Sequence, residues 1–447
     1  MTKTIRHLAV DILTQIQKSR EFASPLLDDC LNKHHLSGTP DGCLLTHLVY
    51  GVLRLRGHLD WILTRLYRGN FEKLDEGVKN VLRVGLYQLK FSDRLPDFAV
   101  VNEAVKIAKI IRPDKSALVN AVLRNYLRRA DQIPFPSHEK NQTQYIAIKH
   151  AHPLWLVKKW VKVFGSEETE SLCSANNQLP PLTLRVNTLK ISRAEIKQKL
   201  GEAGFDTKET LYSPDGLILN ASASPVQKTD FFDAGFLRLQ DEGGQLISYL
   251  FNAGKSSSIL DACSGSGGKA THLAALMKNN GRIVAMDHSA ERIAELTREV
   301  RRLGISIIEA QMADLSVELP DSIKEKFDGV LVDAPCSGTG TLRRNPEIKW
   351  RTTENDVTAF AVAQKNILQN ASAAVKKGGR LIYCTCSLLP DENENIIEDF
   401  LKHHPGFSLC PPPDSIHPTL VDTHGFFHTY PQRHNMDGFF GAILIRS

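Results

Sequence analysis

Over roughly the first 130 residues, apolar positions recur at three- and four-residue intervals. In residues 78–89 they are Val78, Val81, Leu82, Leu86 and Leu89, one buried face of a helix. Val101, Ala104, Val105 and Ala108 repeat the pattern, as do Leu118, Val119, Val122, Leu123, Tyr126 and Leu127. No strand-like alternation interrupts them, so residues 1–135 are expected to form an all-α domain. Pro134, Pro136 and the polar run 137–144 read as a linker. From 145 to 234 the pattern is mixed. Residues 182–187 alternate as a strand does, Ser192 caps a helix that runs to Gly204, and strand-like pieces follow near Leu211 and Leu217. This predicts a small α+β module. From 235 to 447, apolar runs at 258–261, 283–287, 305–310, 329–333 and 380–384 alternate with helical stretches, one of them 357–375. Such alternation predicts an α/β, Rossmann-like domain around a doubly wound, mostly parallel sheet.

Composition narrows the class. The chain has 447 residues, enough for several cores, and 42% hydrophobic with 23% charged residues is a globular balance. A net charge of +5 permits a polyanionic partner without demanding one. The N-terminus has helical spacing and no unbroken apolar stretch, and no segment is long and apolar enough for a bilayer, so a cytoplasmic protein without membrane attachment is expected. The eight cysteines include no CxxC pair, which argues against a zinc ribbon or a disulfide scaffold and for free thiols in a reducing compartment. His424, His428 and His434 lack ligand spacing; no metal is expected, and they read as surface or hinge positions.

In a parallel sheet, ligands sit beyond the carboxyl ends of the strands, so the residues that follow each strand are the ones to inspect. The run at 258–261 leads into Asp261-Ala262-Cys263-Ser264-Gly265-Ser266-Gly267-Gly268-Lys269, a glycine-rich turn into a helix. Such a turn lets a ligand approach the backbone and exposes N–H donors. The next strand ends at Asp287, where a carboxylate can accept from both hydroxyls of a ribose. The third ends near Asp314, placed to meet a nucleobase. Each acid alone could be a helix cap. Three at successive strand ends, behind a loop that lacks the GxGxxG spacing of a pyrophosphate site, favour a nucleoside without phosphates, S-adenosylmethionine.

The fourth and fifth strands run into Asp333-Ala334-Pro335-Cys336 and Thr385-Cys386-Ser387, so Cys336 and Cys386 are both placed at the ligand edge. Cys30, Cys43, Cys173 and Cys410 read as small buried hydrophobes, and Cys263 and Cys384 lean the same way as side chains. Two edge thiols beside a carboxylate suit one chemistry. Carbon 5 of cytosine is too weak a nucleophile to take a methyl group directly. A thiolate that adds at carbon 6 makes carbon 5 reactive, a carboxyl group at Asp333 can assist at nitrogen 3, and a base must then remove the carbon-5 proton. The residues alone leave open which cysteine attacks.

The loop 261–269, Asp287, Asp314, residues 333–350, 385–394 and 436–446 together resemble the RNA 5-methylcytosine methyltransferase family, closest to its bacterial members that act on small-subunit (16S) ribosomal RNA. Residues 48–60, 82–91 and 118–129 resemble the NusB-like helical RNA-binding domain fused to these enzymes, and the middle segment corresponds to their RRM-like module. The resemblance implies domains at 1–135, 145–234 and 235–447. It implies that Cys386 is the nucleophile, that Cys336 assists product release, and that Asp333 completes the catalytic set. It further implies a cofactor site made of Cys263, Ser264, Gly265, Ser266, Gly267, Gly268, Lys269, Asp287, Asp314 and Asp333. DNA cytosine methyltransferases attack with the other cysteine, and adenine-amino methyltransferases carry an aromatic residue where Cys336 stands, so the pair points to RNA. One departure is Ser266, where the family carries proline.

Three basic clusters are candidate RNA contacts: Arg54, Arg56, Arg65 and Arg68; Arg112, Lys115, Arg124, Arg128 and Arg129; and Arg343, Arg344, Lys349 and Arg351 with Trp350. The first two read as solvated faces. The third, beside the catalytic loop with a tryptophan able to stack, is the expected contact. The target is then small-subunit ribosomal RNA with an unpaired or flipped cytosine, bound by a monomer. Two rivals predict otherwise. An oxidoreductase would carry GxGxxG and has no use for two edge cysteines. A non-catalytic RNA-binding assembly factor would have lost Asp333, Cys336 or Cys386.

Overall fold

A computed structural model describes every residue except 1, 2, 20, 93, 94, 221–224, 253–256, 318 and 320; the first two residues of the N-terminal helical reading lie outside it. The chain divides into two compact units. Unit 1 is Met1–Gln178 with Leu342–Arg351, and unit 2 is Leu179–Thr341 with Thr352–Ser447.

Unit 1 is helical, as the 3.6-residue periodicity predicts. Its hub is the helix Glu76–Phe91, capped by Asp75 and buried from Gly77 through Gln88. A hub buried on all sides must satisfy its polar side chains internally. Arg83, 2% exposed, forks onto Asp60 at 2.7 and 2.9 Å and reaches Asn80. The linker is shorter than expected, because Asn141 caps a helix over Gln142–Lys149. Helices Leu154–Phe164 and Ser166–Ala175 follow.

Unit 2 holds two sheets. The small one comprises β1 (Leu182–Val186), β2 (Thr207–Glu209), β3 (Gly216–Leu219) and β4 (Leu237–Leu239), antiparallel in the order β2–β3–β1–β4. Its helix, Arg193–Glu202, opens with a capping box between Ser192 and Glu195. Leu211 is 80% exposed and follows β2 rather than lying in a strand.

The large sheet comprises β5 (Ser258–Asp261), β6 (Arg282–Asp287), β7 (Ile308–Met312), β8 (Phe327–Asp333), β9 (Val375–Thr385), β10 (Phe407–Cys410), β11 (Phe427–Thr429) and β12 (Phe439–Arg446). The order is β10–β12–β9–β8–β5–β6–β7, with β11 paired to β12. Strands β5 to β9 are parallel and β12 is antiparallel to β9, so the Rossmann-like, mostly parallel expectation holds. Two boundaries move. β7 starts at Ile308 rather than 305, and the long helix spans Glu354–Ser372 because Thr353 caps it and Val375 already pairs with Phe327 in β9. Parallel pairing brings the carboxyl ends of β5 to β9 to one edge, and no described helix is long and apolar enough to cross a membrane.

Candidate active site

The loop after β5 turns through two left-handed glycines, Gly265 (φ +52°) and Gly267 (φ +81°), into the helix Gly268–Leu276. A Cβ at Gly267 would meet Leu296 at 2.2 Å, whereas one at Gly265 would meet nothing within 4 Å. Gly267 therefore answers to packing, and Gly265 keeps a space open in front of the loop. The Gly265 N–H donates to Asp287 Oδ2 at 2.9 Å, and Ser289 N–H donates to Oδ1 of the same carboxylate. Ser289, not Asp287, caps the following helix. Asp314 is exposed two residues beyond β7, and its bonds from the Ser316 N–H and hydroxyl hold its carboxyl below the usual range.

Three residues that sequence reasoning missed support this edge. Arg185 in β1 and Arg238 in β4 are directly opposite each other in the small sheet and reach the glycine loop. Arg185 donates to the Gly268 carbonyl and to Thr271 Oγ1. Arg238 donates to the Ser266 carbonyl at 2.9 Å and its hydroxyl at 3.2 Å, and pairs with Glu299 at 3.0 Å. Burial lowers both guanidinium pKa values, Arg185 to about 9. The available signal was an arginine flanked by apolar residues within each strand, Leu184 and Val186 around Arg185 and Leu237 and Leu239 around Arg238. The third is Glu392, buried in the turn after the Cys386 loop.

At the ends of β8 and β9, register pairs Asp333 with Cys384. Asp333 Oδ2 accepts from Lys269 Nζ, and the Cys384 thiol lies 3.4 Å from Oδ1. Burial works against the Lys269 ammonium, yet the Asp333 carboxylate holds its pKa above the ordinary value. Burial, and then Asp333, pushes the Cys384 thiol well up. Asp261, 1% exposed with no hydrogen-bond partner of good geometry, is pushed to about 7 by burial and by Asp333. Burial likewise raises the Cys263 thiol.

The two edge cysteines meet: Cys336 Sγ lies 3.4 Å from Cys386 Sγ. The Cys386 contact, then burial, holds the Cys336 thiol well above its usual pKa. Their loops are cross-linked by Gly340 N–H to the Cys386 carbonyl and by Leu388 N–H to Thr339 Oγ1. Gly340 has no room for a side chain, since a Cβ there would meet the Gly438 carbonyl at 2.1 Å.

Other expectations are corrected. Lys349 and Arg343 are each 2% exposed, and Trp350 donates its indole N–H to the Leu53 carbonyl at 2.6 Å. Arg343, Lys349 and the Trp350 indole N–H are therefore built into unit 1 and do not face an RNA, while Arg344 and Arg351 stay half-exposed. In the first basic cluster, Arg54 is largely buried and donates to the Arg343 carbonyl, and Arg56 pairs with Asp60. Arg124, Arg128 and Arg129 of the second stay exposed. Cys43 is exposed, Cys30 and Cys410 are half-buried, and Cys173 is buried. His428 is not a surface residue: it is 9% exposed, within 3.3 Å of Asp422 and stacked on Tyr430. Among the described residues, no cluster of three or more His, Cys, Asp or Glu could hold a metal ion.

Comparison with known proteins gives three family matches along the chain. Residues 248–445 match the family described as 16S rRNA methyltransferase RsmB/F, 3–128 match the NusB family, and 152–227 match an RsmF/B-like ferredoxin-like domain. The chain is 34% identical to the probable ribosomal RNA small subunit methyltransferase B of Bacillus subtilis (strain 168), over 98% of each chain. It is 35% identical to the Synechocystis sp. protein of that description, over 99% of each. A ribosomal RNA small subunit methyltransferase B of Escherichia coli is 32% identical over 99% of each. Among solved structures, PH0851 superposes over the full length of both chains with a TM-score of 0.83 at 27% identity. NSun6 from Pyrococcus horikoshii shares the fold, with a TM-score of 0.59 at 22% identity over 65% of this chain and 97% of that one.

Proposed function

From the premise that the chain belongs to the 16S rRNA methyltransferase RsmB/F family, we propose that it methylates carbon 5 of a cytosine in small-subunit ribosomal RNA through a covalent bond from Cys386. The observation that carries this reading is the 3.4 Å approach of Cys336 and Cys386 beside Asp333. One ring can then be met by a nucleophile, a second thiol and a carboxylate together.

The cofactor is S-adenosylmethionine, which when bound supplies an electrophilic methyl group. The residues fit it. Gly265 leaves an open space, and among the described residues the buried Ser264 hydroxyl and Asp261 carboxylate make no hydrogen bond of good geometry. We assign the cradle to Cys263, Ser264, Gly265, Ser266, Gly267, Gly268 and Lys269, the ribose to Asp287, the adenine to Asp314 and the reacting end to Asp333. Cys386 Sγ bonds to carbon 6 of the cytosine, and the 5,6 electron pair moves to carbon 5, which takes the methyl group. Asp333 holds nitrogen 3. A base, assisted by Cys336, takes the carbon-5 proton; the electron pair left behind restores the 5,6 double bond as the bond to carbon 6 breaks and Cys386 leaves as its thiolate. We assign RNA binding to residues 1–135, whose exposed Arg124, Arg128 and Arg129 suit phosphates, and to the RRM-like module 145–234. Methyl transfer belongs to 235–447.

Methyl transfer to unmethylated small-subunit ribosomal RNA, with the product nucleoside identified by mass spectrometry, tests this. Label is expected in 5-methylcytosine. Cys386→Ala should abolish it with cofactor binding intact, and Cys336→Ala should accumulate a protein–RNA adduct. Turnover by Cys386→Ala would overturn the nucleophile assignment, and free turnover by Cys336→Ala without adduct would overturn the release role.

A further inference from the structure

We propose that Glu392 is a positioning residue for methyl transfer: its buried carboxylate ties the loop that carries Cys336 to the loop that carries Cys386 and sets the spacing of the two thiols. The proposal rests on the covalent reading above.

Glu392 is fully buried in the short turn Pro390–Glu392 that follows the Cys386 loop. Oε1 accepts from the Ser337 N–H at 2.8 Å and from Gln364 Nε2 at 3.2 Å. Oε2 accepts from the hydroxyls of Ser337 and Ser387. Ser337 and Ser387 are the residues directly after Cys336 and Cys386, on loops fifty residues apart. Gln364 also donates to the carbonyl of Pro335, so Cys336 is gripped from both sides. The Cys386 side is closed by Asn393, which donates to the Ser387 carbonyl and accepts from Thr385.

A buried carboxylate is costly unless its oxygens are satisfied, and here four donors do so. Burial raises the Glu392 pKa and the four donors oppose the rise. Such an arrangement holds position. Two sulfurs that act on adjacent carbons of one ring need a fixed separation, and an error of about 1 Å costs about a hundredfold in rate. The signal in the sequence is slight, because Glu392 lies among other acids in an exposed-looking run; only the fold brings it under both cysteines.

The test compares Glu392→Ala, Glu392→Gln and Gln364→Ala in the full chain. Glutamine fits the same site: its carbonyl can take the two N–H donors, and its amide nitrogen can donate to the two serine hydroxyls. Glu392→Ala is expected to lower kcat about a hundredfold with KM for S-adenosylmethionine within about twofold. Glu392→Gln should restore kcat to within about fivefold, and Gln364→Ala should lose about tenfold. Glu392→Ala at near wild-type kcat would overturn the proposal, as would Glu392→Gln as inactive as alanine with an unchanged melting temperature. Should Glu392→Ala fail to fold, Gln364→Ala at wild-type kcat would overturn it. A wild-type chain that makes no 5-methylcytosine would instead strike the covalent reading itself.

Discussion

Ser266 gives the glycine loop a hydroxyl where proline would give a ring, and Arg238 answers it. One Arg238 nitrogen bonds both the carbonyl and the hydroxyl of Ser266 while Glu299 holds the other, so stiffness that a ring would build in locally comes from a neighbouring sheet. The carbonyl bond is the shorter, and it survives removal of the hydroxyl. Arg238→Ala is therefore expected to weaken S-adenosylmethionine binding about tenfold, and Ser266→Ala less than about threefold, by titration calorimetry. Equal losses would show that the hydroxyl, not the clamp, orders the loop. Cys336, Cys386, Asp333 and Asp287 could be picked out in the sequence because each ends or follows a strand and carries a group that the proposed chemistry needs. Arg185, Arg238 and Glu392 were not, because all their partners but Ser387 lie 28 to 86 residues away and no local pattern marks them.

At the level of elements, periodicity located the unit 1 helices that carry residues 78–89, 101–108 and 118–127 and most strands of the parallel sheet, but not the helices between 142 and 175. It misread residues 342–351, where four cations and a tryptophan beside a catalytic loop looked like a surface for phosphates. What decides otherwise is tertiary. Lys349 donates to the Arg54 carbonyl at 2.8 Å and to Asn177 Oδ1 at 3.0 Å, Glu347 accepts from the Ala23 N–H, and Arg351 lies over the Phe22 ring. Burial, with Arg54 near, lowers the Lys349 pKa to about 7. An unfolded lysine titrates near about 10.4, so between these values the folded chain holds fewer protons than the unfolded one. The resulting penalty is fully present below about pH 7 and fades as pH rises toward 10. The melting midpoint of the wild type minus that of Lys349→Met should thus increase from pH 6 to pH 9. A constant difference would mean that the ammonium is not desolvated.

For the whole molecule, the segment 342–351 matters through connectivity. It is ordered in unit 1, while both its ends continue into unit 2. Folded unit 2 holds those ends in place, which lowers the entropy lost when the segment docks, so folding of one unit favours the other. All four tryptophans, Trp61, Trp155, Trp160 and Trp350, belong to unit 1, and the proposed cofactor site belongs to unit 2. Tryptophan fluorescence therefore reports one unit while the ligand acts on the other. S-Adenosylmethionine at about a hundred times its Kd adds about 2.7 kcal/mol to the unit that binds it. The tryptophan midpoint and the far-UV circular dichroism midpoint should then rise together in the wild type. In Trp350→Ala, which removes the bond to the Leu53 carbonyl and leaves three reporters, the cofactor should move the circular dichroism signal more than the fluorescence. If the cofactor shifts the dichroism of the wild type and leaves its fluorescence midpoint in place, the threaded segment does not couple the units, and each unfolds on its own terms.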